Sequence, residues 1–166
     1  MKILLIGGTG IISTAVSKAL LAAGHELWLI NRGTHNHILP EGANYITGDI
    51  NDTNAMEKAL SGQSFDCIAD FIVLKPEQIE RDYHLFHGRT KQYIFISSAS
   101  AYQKPLSHYE ITESTPLSNP YWDYAANKIL CENKLMDFYR KTGFPATIIR
   151  PSHTYDEYNI PLCITG

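Results

Sequence analysis

Residues 2–13 read Lys-Ile-Leu-Leu-Ile-Gly-Gly-Thr-Gly-Ile-Ile-Ser. The four apolar residues Ile3–Ile6 leave no polar face, which fits a strand buried on both sides. The run breaks at Gly7-Gly8, and Ile11–Ala23 then suits a helix closed by Gly24. A glycine turn in this position lets backbone come close to a pyrophosphate. The helix N-terminus offers free N–H groups and the positive end of its dipole. The turn therefore reads as a dinucleotide cradle built from Gly7, Thr9, Gly10, Ile11 and Ile12. The plainer alternative is a tight strand-to-helix turn that binds nothing. Ser13 stands where a third glycine often packs helix against strand, and it is small enough for that place.

Outward from this turn, strands and helices alternate. Glu26–Ile30 is a second strand and the polar segment 31–42 a loop. Asn44–Thr47 is a third strand, and Thr53–Leu60 a short helix ended near Gly62. Phe65–Val73 is a fourth strand running into a loop. Pro76 fits the first turn of a helix reaching His87. Tyr93–Ser97 is a fifth strand, Ala99–Pro120 a long irregular segment, Tyr121–Thr142 the longest helix and Ala146–Arg150 a sixth strand. Alternation of this kind predicts an α/β fold, a doubly wound (Rossmann) arrangement in three layers. It has a parallel sheet of about six strands with helices on both faces, in a single domain over 1–166. Ligands of such sheets bind outside the carboxyl ends of the strands.

Composition narrows the class. The chain has 166 residues, 44% hydrophobic and 19% charged, as expected of one globular domain rather than a disordered segment. A net charge of -3 gives no reason to expect a polyanion partner, so nucleic acid is not favoured. No stretch reaches membrane-spanning length. Cys67, Cys131 and Cys163 are an odd set with no close spacing, which argues against a disulfide framework and for buried reduced thiols in a cytoplasmic setting. His35 and His37 lie in a polar loop without a third ligand, so no metal site is expected.

The end of the second strand carries cofactor chemistry. An acid here usually accepts from the adenosine ribose. This chain has Asn31-Arg32-Gly33 instead. A carboxylate repels a 2′-phosphate, whereas arginine grips one through paired hydrogen bonds, so Arg32 favours NADP over NAD. The alternative is a solvated arginine with Asn31 meeting a ribose hydroxyl of NAD. After the third strand comes Asp49-Ile50. Asp49 suits the adenine amino group equally with a plain N-cap or Asx turn.

The fifth strand ends in Ser97-Ser98-Ala99-Ser100-Ala101-Tyr102, and the next helix holds Tyr124-Ala-Ala-Asn-Lys128. The tyrosine and lysine lie one turn apart on one helix face. A free phenol titrates near ~10, and a nearby ammonium favours its ionised form. Taken alone, such a pair is an ordinary helix surface.

With the glycine turn and Arg150-Pro151, however, these motifs resemble the extended short-chain dehydrogenase/reductase family. They are most similar to a bacterial NAD-dependent epimerase/dehydratase branch that also resembles chloroplast stem-loop RNA-binding proteins. The resemblance implies that Tyr124 is the general acid/base and that Ser98 bonds the reacting oxygen, with Ser97 and Ser100 as adjacent alternatives. It implies that Lys128 supports Tyr124 and holds the nicotinamide ribose, while hydride passes between substrate and nicotinamide. Asn31, Arg32, Asp49, Ile50, Phe71 and Pro151 join the cofactor set with Tyr124 and Lys128. Pro151 equally reads as a strand terminator. The implied substrate is a nucleotide-sugar or other carbohydrate, and the implied assembly a homodimer. A non-catalytic NADP-sensing or RNA-binding protein on the same fold is the competing reading. Members of the family are longer than this chain, so a missing C-terminal substrate lobe is expected, and with it weak or absent turnover.

Overall fold

The computed structural model describes residues 1–33 and 40–156; His35, His37 and Cys163 lie outside them. Strand β1, Lys2–Ile6, runs along the middle of a six-stranded sheet with β2 (Glu26–Asn31) and β4 (Cys67–Asp70) on either side. Beyond β2 lies β3, Asn44–Thr47. Beyond β4 come β5, Tyr93–Ile96, and β6, Ala146–Ile149. The order is β3-β2-β1-β4-β5-β6, and every pairing is parallel. Between β1 and β4 the winding reverses. Ile6 pairs there with Ile30 on one side and Asp70 on the other, and the chains leaving β1 and β4 diverge above that register. Such a divergence opens a crevice at the carboxyl ends of the strands.

Alternation along β1 sets the two cores. Leu4 and Ile6 face one cluster, Ile3 and Leu5 the other. Helix α1, Ile11–Ala22, covers the second cluster with Val16, Leu20 and Leu21. Helices α2 (Thr53–Ala59), α3 (Pro76–Phe86) and α4 (Asp123–Thr142) cover the first. They contribute Met56, then Ile79, Leu85 and Phe86, then Cys131 and Leu135. Both faces therefore carry helix, as the alternation predicts, though three helices lie on one face and one on the other among the described residues. Pro76 starts α3 as expected, and Gly143 closes α4 in the left-handed conformation at φ 72°. Cys67 and Cys131 are free and buried.

Two elements differ from the sequence reading by two residues or more at an end, and a side chain accounts for one end of each. Strand β4 is four residues long rather than the expected Phe65–Val73. The carboxylate Oδ1 of Asp70 accepts from the N–H groups of Ile72 and Val73, at 2.6 and 3.0 Å, and turns the chain out of the ladder. Helix α4 begins at Asp123, not Tyr121. Asn119 Oδ1 accepts from the Tyr121 N–H at 3.2 Å, an Asx turn that holds Tyr121 outside the helix.

Candidate active site

The glycine turn is shaped by one left-handed residue and one serine. Gly7 has φ 86°, and a Cβ there would overlap the Ile72 side chain of the loop after β4. Only glycine fits that place. Ser13 is buried; its hydroxyl donates to Gly7 O at 2.8 Å and accepts from Gly10 N–H at 2.9 Å. Serine at the third-glycine position is thus more than small: it ties the turn to the first helical turn. A Cβ on Gly10 would meet nothing closer than Ser13 Oγ at 3.5 Å, so the space above the turn is open. Ile11 and Ile12 begin α1 there, and their N–H groups have no intrahelical partner.

Two cavities flank this turn and share Gly7, Thr9, Ile72 and Leu74. The first, of about 450 Å³, is lined also by Asn31, Arg32, Asp49, Ile50 and Asn51. Asn31 Oδ1 accepts from Gly33 N–H at 2.8 Å, while its buried Nδ2 has no partner among the described residues. That donor fits a ligand carrying acceptors, as a ribose or a phosphate does. Asp49 is not the N-cap of α2; Asp52 is, accepting from Ala55 N–H at 3.0 Å. Asp49 Oδ1 instead accepts from the backbone and side-chain N–H groups of Asn51, both at 2.9 Å. The Asx turn and the cavity lining are both realised.

The second cavity, of about 530 Å³, brings Gly10, Ile11, Ile12 and Phe71 together with Ser98, Tyr124, Lys128 and Pro151. Every residue singled out from the sequence for cofactor or chemistry lines one cavity or the other, except the alternative serine Ser100. Tyr124 is half-buried, with its ring centroid 5.6 Å from Lys128 Nζ and 4.8 Å from the Trp122 ring. Lys128 is 2% exposed and donates to the carbonyls of Val73 and Ile96 at 2.6 and 2.8 Å. Burial lowers its pKa, partly opposed by Cys131, Asp70 and Glu132. The ammonium is therefore anchored by backbone rather than waving in solvent, and one N–H remains for a ligand.

The three serines separate by their partners. Ser97 is buried and donates to Glu132 Oε1 at 2.5 Å. Ser98 Oγ accepts from Ser100 N–H at 3.1 Å and contacts Ser100 Oγ at 2.9 Å. Of the three, Ser97 and Ser98 line the cavity, and of these two only Ser98 has a hydroxyl not committed to a carboxylate. His153 is exposed and lines neither cavity.

Several supports were not foreseen from sequence. Arg150 forks onto Glu132 through Nη2, at 2.7 Å, and Nε, and stands 5.0 Å over the Tyr102 ring. Asn119 Nδ2 donates to Ser100 O at 2.8 Å, so one side chain grips both the serine turn and the approach to α4. A buried Glu on the apolar stripe of α4 was a legible sign of a polar partner. Asn119 carried none, because its second contact spans a long irregular loop. Among the described residues no cluster of metal-ligating side chains occurs and no helix is long and apolar enough to cross a membrane.

The profile of the NAD dependent epimerase/dehydratase family matches residues 3–161. The chain belongs to that family. An epimerase/dehydratase relative, UDP-glucose 4-epimerase of Lactobacillus helveticus, is 27% identical over 90% of this chain and 51% of its own length. The chloroplast stem-loop binding protein of 41 kDa b of Arabidopsis thaliana is 28% identical over 95% of this chain and 43% of its own. In fold, the chain matches the UDP-glucose 4-epimerase of Thermotoga maritima, solved with UDP-glucose. That match has a TM-score of 0.75 and 20% identity, covering 90% of this chain and 55% of that one. The chain thus spans about half the length of the curated relatives it matches.

Proposed function

We propose that this chain forms the cofactor-binding part of a nicotinamide-dependent epimerase, dehydratase or reductase acting on a nucleotide-sugar. The observation that carries the reading is a single cavity lined by the glycine turn, Ser98, Tyr124 and Lys128 together. A module that only bound nucleotide has no need of those three side chains at one wall. When bound, such a cofactor supplies two-electron redox chemistry at a carbinol or carbonyl carbon. The first turn of α1 would hold the pyrophosphate of such a cofactor, and Asn31, Arg32, Asp49 and Ile50 would hold its adenosine end. Ser98 donates to the substrate oxygen, and Tyr124 moves the proton at that same oxygen. Lys128, held by two carbonyls, keeps its charge near the Tyr124 ring and stabilises negative charge developing on the phenol oxygen.

Arg32 supports NADP over NAD, since it is a cation lining the cavity where a ribose-binding acid is absent, while the Asn31 Nδ2 donor suits either cofactor. Calorimetric titration with NADP and with NAD tests this, followed by Arg32→Ala. Loss of the NADP preference in the variant supports the reading; equal NADP affinity removes it. For the chemistry, in the full-length enzyme of which this chain forms the cofactor-binding part, epimerisation of UDP-glucose should vanish in Tyr124→Phe while cofactor affinity stays nearly unchanged. Retained turnover rules out the role given to Tyr124. The likeness to a stem-loop binding protein keeps RNA binding as the second reading. A salt-dependent shift of a structured RNA, with neither cofactor bound, would put it first.

A further inference from the structure

Beneath the crevice lies a buried polar cluster that the proposed chemistry does not use. Arg81 of α3 is nearly buried, and its guanidinium reaches three partners on three different segments. Nε and Nη2 hold Asp82 Oδ1 at 2.8 and 2.7 Å; Nη2 also stands 3.3 Å from Asp70 Oδ2, and Nη1 donates to Asn51 Oδ1 at 2.7 Å. Tyr93 donates to the other oxygen of Asp82 at 2.5 Å.

Each partner leads to one side of the crevice. Asp70 holds the N–H groups of Ile72 and Val73, and the Val73 carbonyl receives Lys128 Nζ. Asn51 holds Asp49 Oδ1 with two N–H groups at the adenosine side. From Arg81 one hydrogen-bond path therefore ends at Lys128, another at Asp49. Ile72, which closes over Gly7, sits on the first of them. A lysine cannot replace this geometry, because a point charge does not fork to partners on separate loops.

We propose that Arg81 is the positioning residue of the cofactor crevice, setting the loop that anchors Lys128 and the turn that orients Asp49 from one buried guanidinium. The effect on binding rests on the cofactor reading above; the effect on the two loops does not. The test therefore has two arms on the full chain.

In the first arm, amide hydrogen exchange is followed without ligand. In Arg81→Met the amides of Ile72, Val73 and Asn51 should exchange about tenfold faster or more, as loss of charged hydrogen bonds implies, with β1 amides unchanged. Wild-type rates at those three amides, or a uniform acceleration across the core, overturn the proposal. Should Arg81→Met not fold, Arg81→Lys decides by the same criterion. In the second arm, AMP and NADP are titrated by calorimetry. Asn51→Ala should weaken both by the same factor, whereas Arg81→Lys should weaken NADP more than AMP, because it disturbs both ends. Equal losses for Arg81→Lys overturn the coupling. If wild type binds neither ligand, the cofactor reading fails, and the exchange arm still decides what Arg81 does.

Discussion

Two buried charge clusters sit under the two ends of the crevice, and they are built differently. Under the serine turn, Glu132 faces Arg150, one carboxylate against one guanidinium, with Ser97 adding a neutral donor. Under the loop after β4, Asp70 and Asp82 share the single guanidinium of Arg81, with the Tyr93 phenol alongside. The first cluster balances its charge. In the second, burial pushes the Asp70 carboxyl well up, and the neighbouring Asp82 adds to it. Tyr93 is likewise raised, chiefly by burial. Equal-looking ion pairs thus differ: one matches a carboxylate to a guanidinium, the other makes two buried carboxylates share one guanidinium, which holds Asp70 above the ordinary carboxylate range.

The contrast breaks most visibly at Glu132. Glu132→Ala leaves Arg150 and Ser97 without their acceptor, and about 3 kcal/mol of stability should be lost, the lower end for a broken buried pair because Arg150 is partly exposed. Urea denaturation checks this; a loss comparable to a surface substitution would show the pair to be unimportant.

Asp70 gives the second test, through pH. Its folded-state pKa lies above its unfolded value. Its neutral form is favoured in the fold, so its contribution is present below the ordinary carboxylate range and lost as pH rises through the raised value. Asp70→Asn cannot titrate. The stability difference between wild type and Asp70→Asn should shrink steadily as pH rises above the ordinary carboxylate range, and a pH-independent difference contradicts a raised Asp70 pKa.

Tyr93→Phe removes one neutral donor to Asp82 and should cost about 1–2 kcal/mol, measured the same way at neutral pH. Smallest is Lys134→Ala at the α3–α4 surface, where the partner Glu80 is half exposed. A change of about 0.2–1 kcal/mol, fading with added salt, is expected there. A larger effect would erase the distinction drawn between buried and solvated pairs.

Much of the crevice was legible because its parts are local. The glycine turn, Arg32 after β2, the serine run and the Tyr124–Lys128 pair each lie within a few residues of a strand end or on one helical turn. Parallel winding alone delivers strand ends to one edge. What stayed hidden was long-range. Asp70 inside an apolar strand and Glu132 on the buried stripe of α4 announced that partners exist, but not which. Their partners are Arg81, eleven residues on, and Arg150, eighteen residues on, and each meets its carboxylate only after helix and strand have packed. The ends of β4 and α4 were misjudged for a related reason. Asp70 and Asn119 bond nearby backbone through short side chains, and periodicity carries no trace of such bonds.

By itself, then, the sequence determined the alternation of strands and helices, the phosphate-cradling turn and the residue types lining the crevice, since periodicity and spacing are properties of neighbours along the chain. Only the tertiary structure decided which cavity serine keeps its hydroxyl off a carboxylate, what holds Lys128, and that one arginine reaches both ends. Those outcomes depend on distances between segments far apart in the chain, and packing of the helices on the sheet sets them.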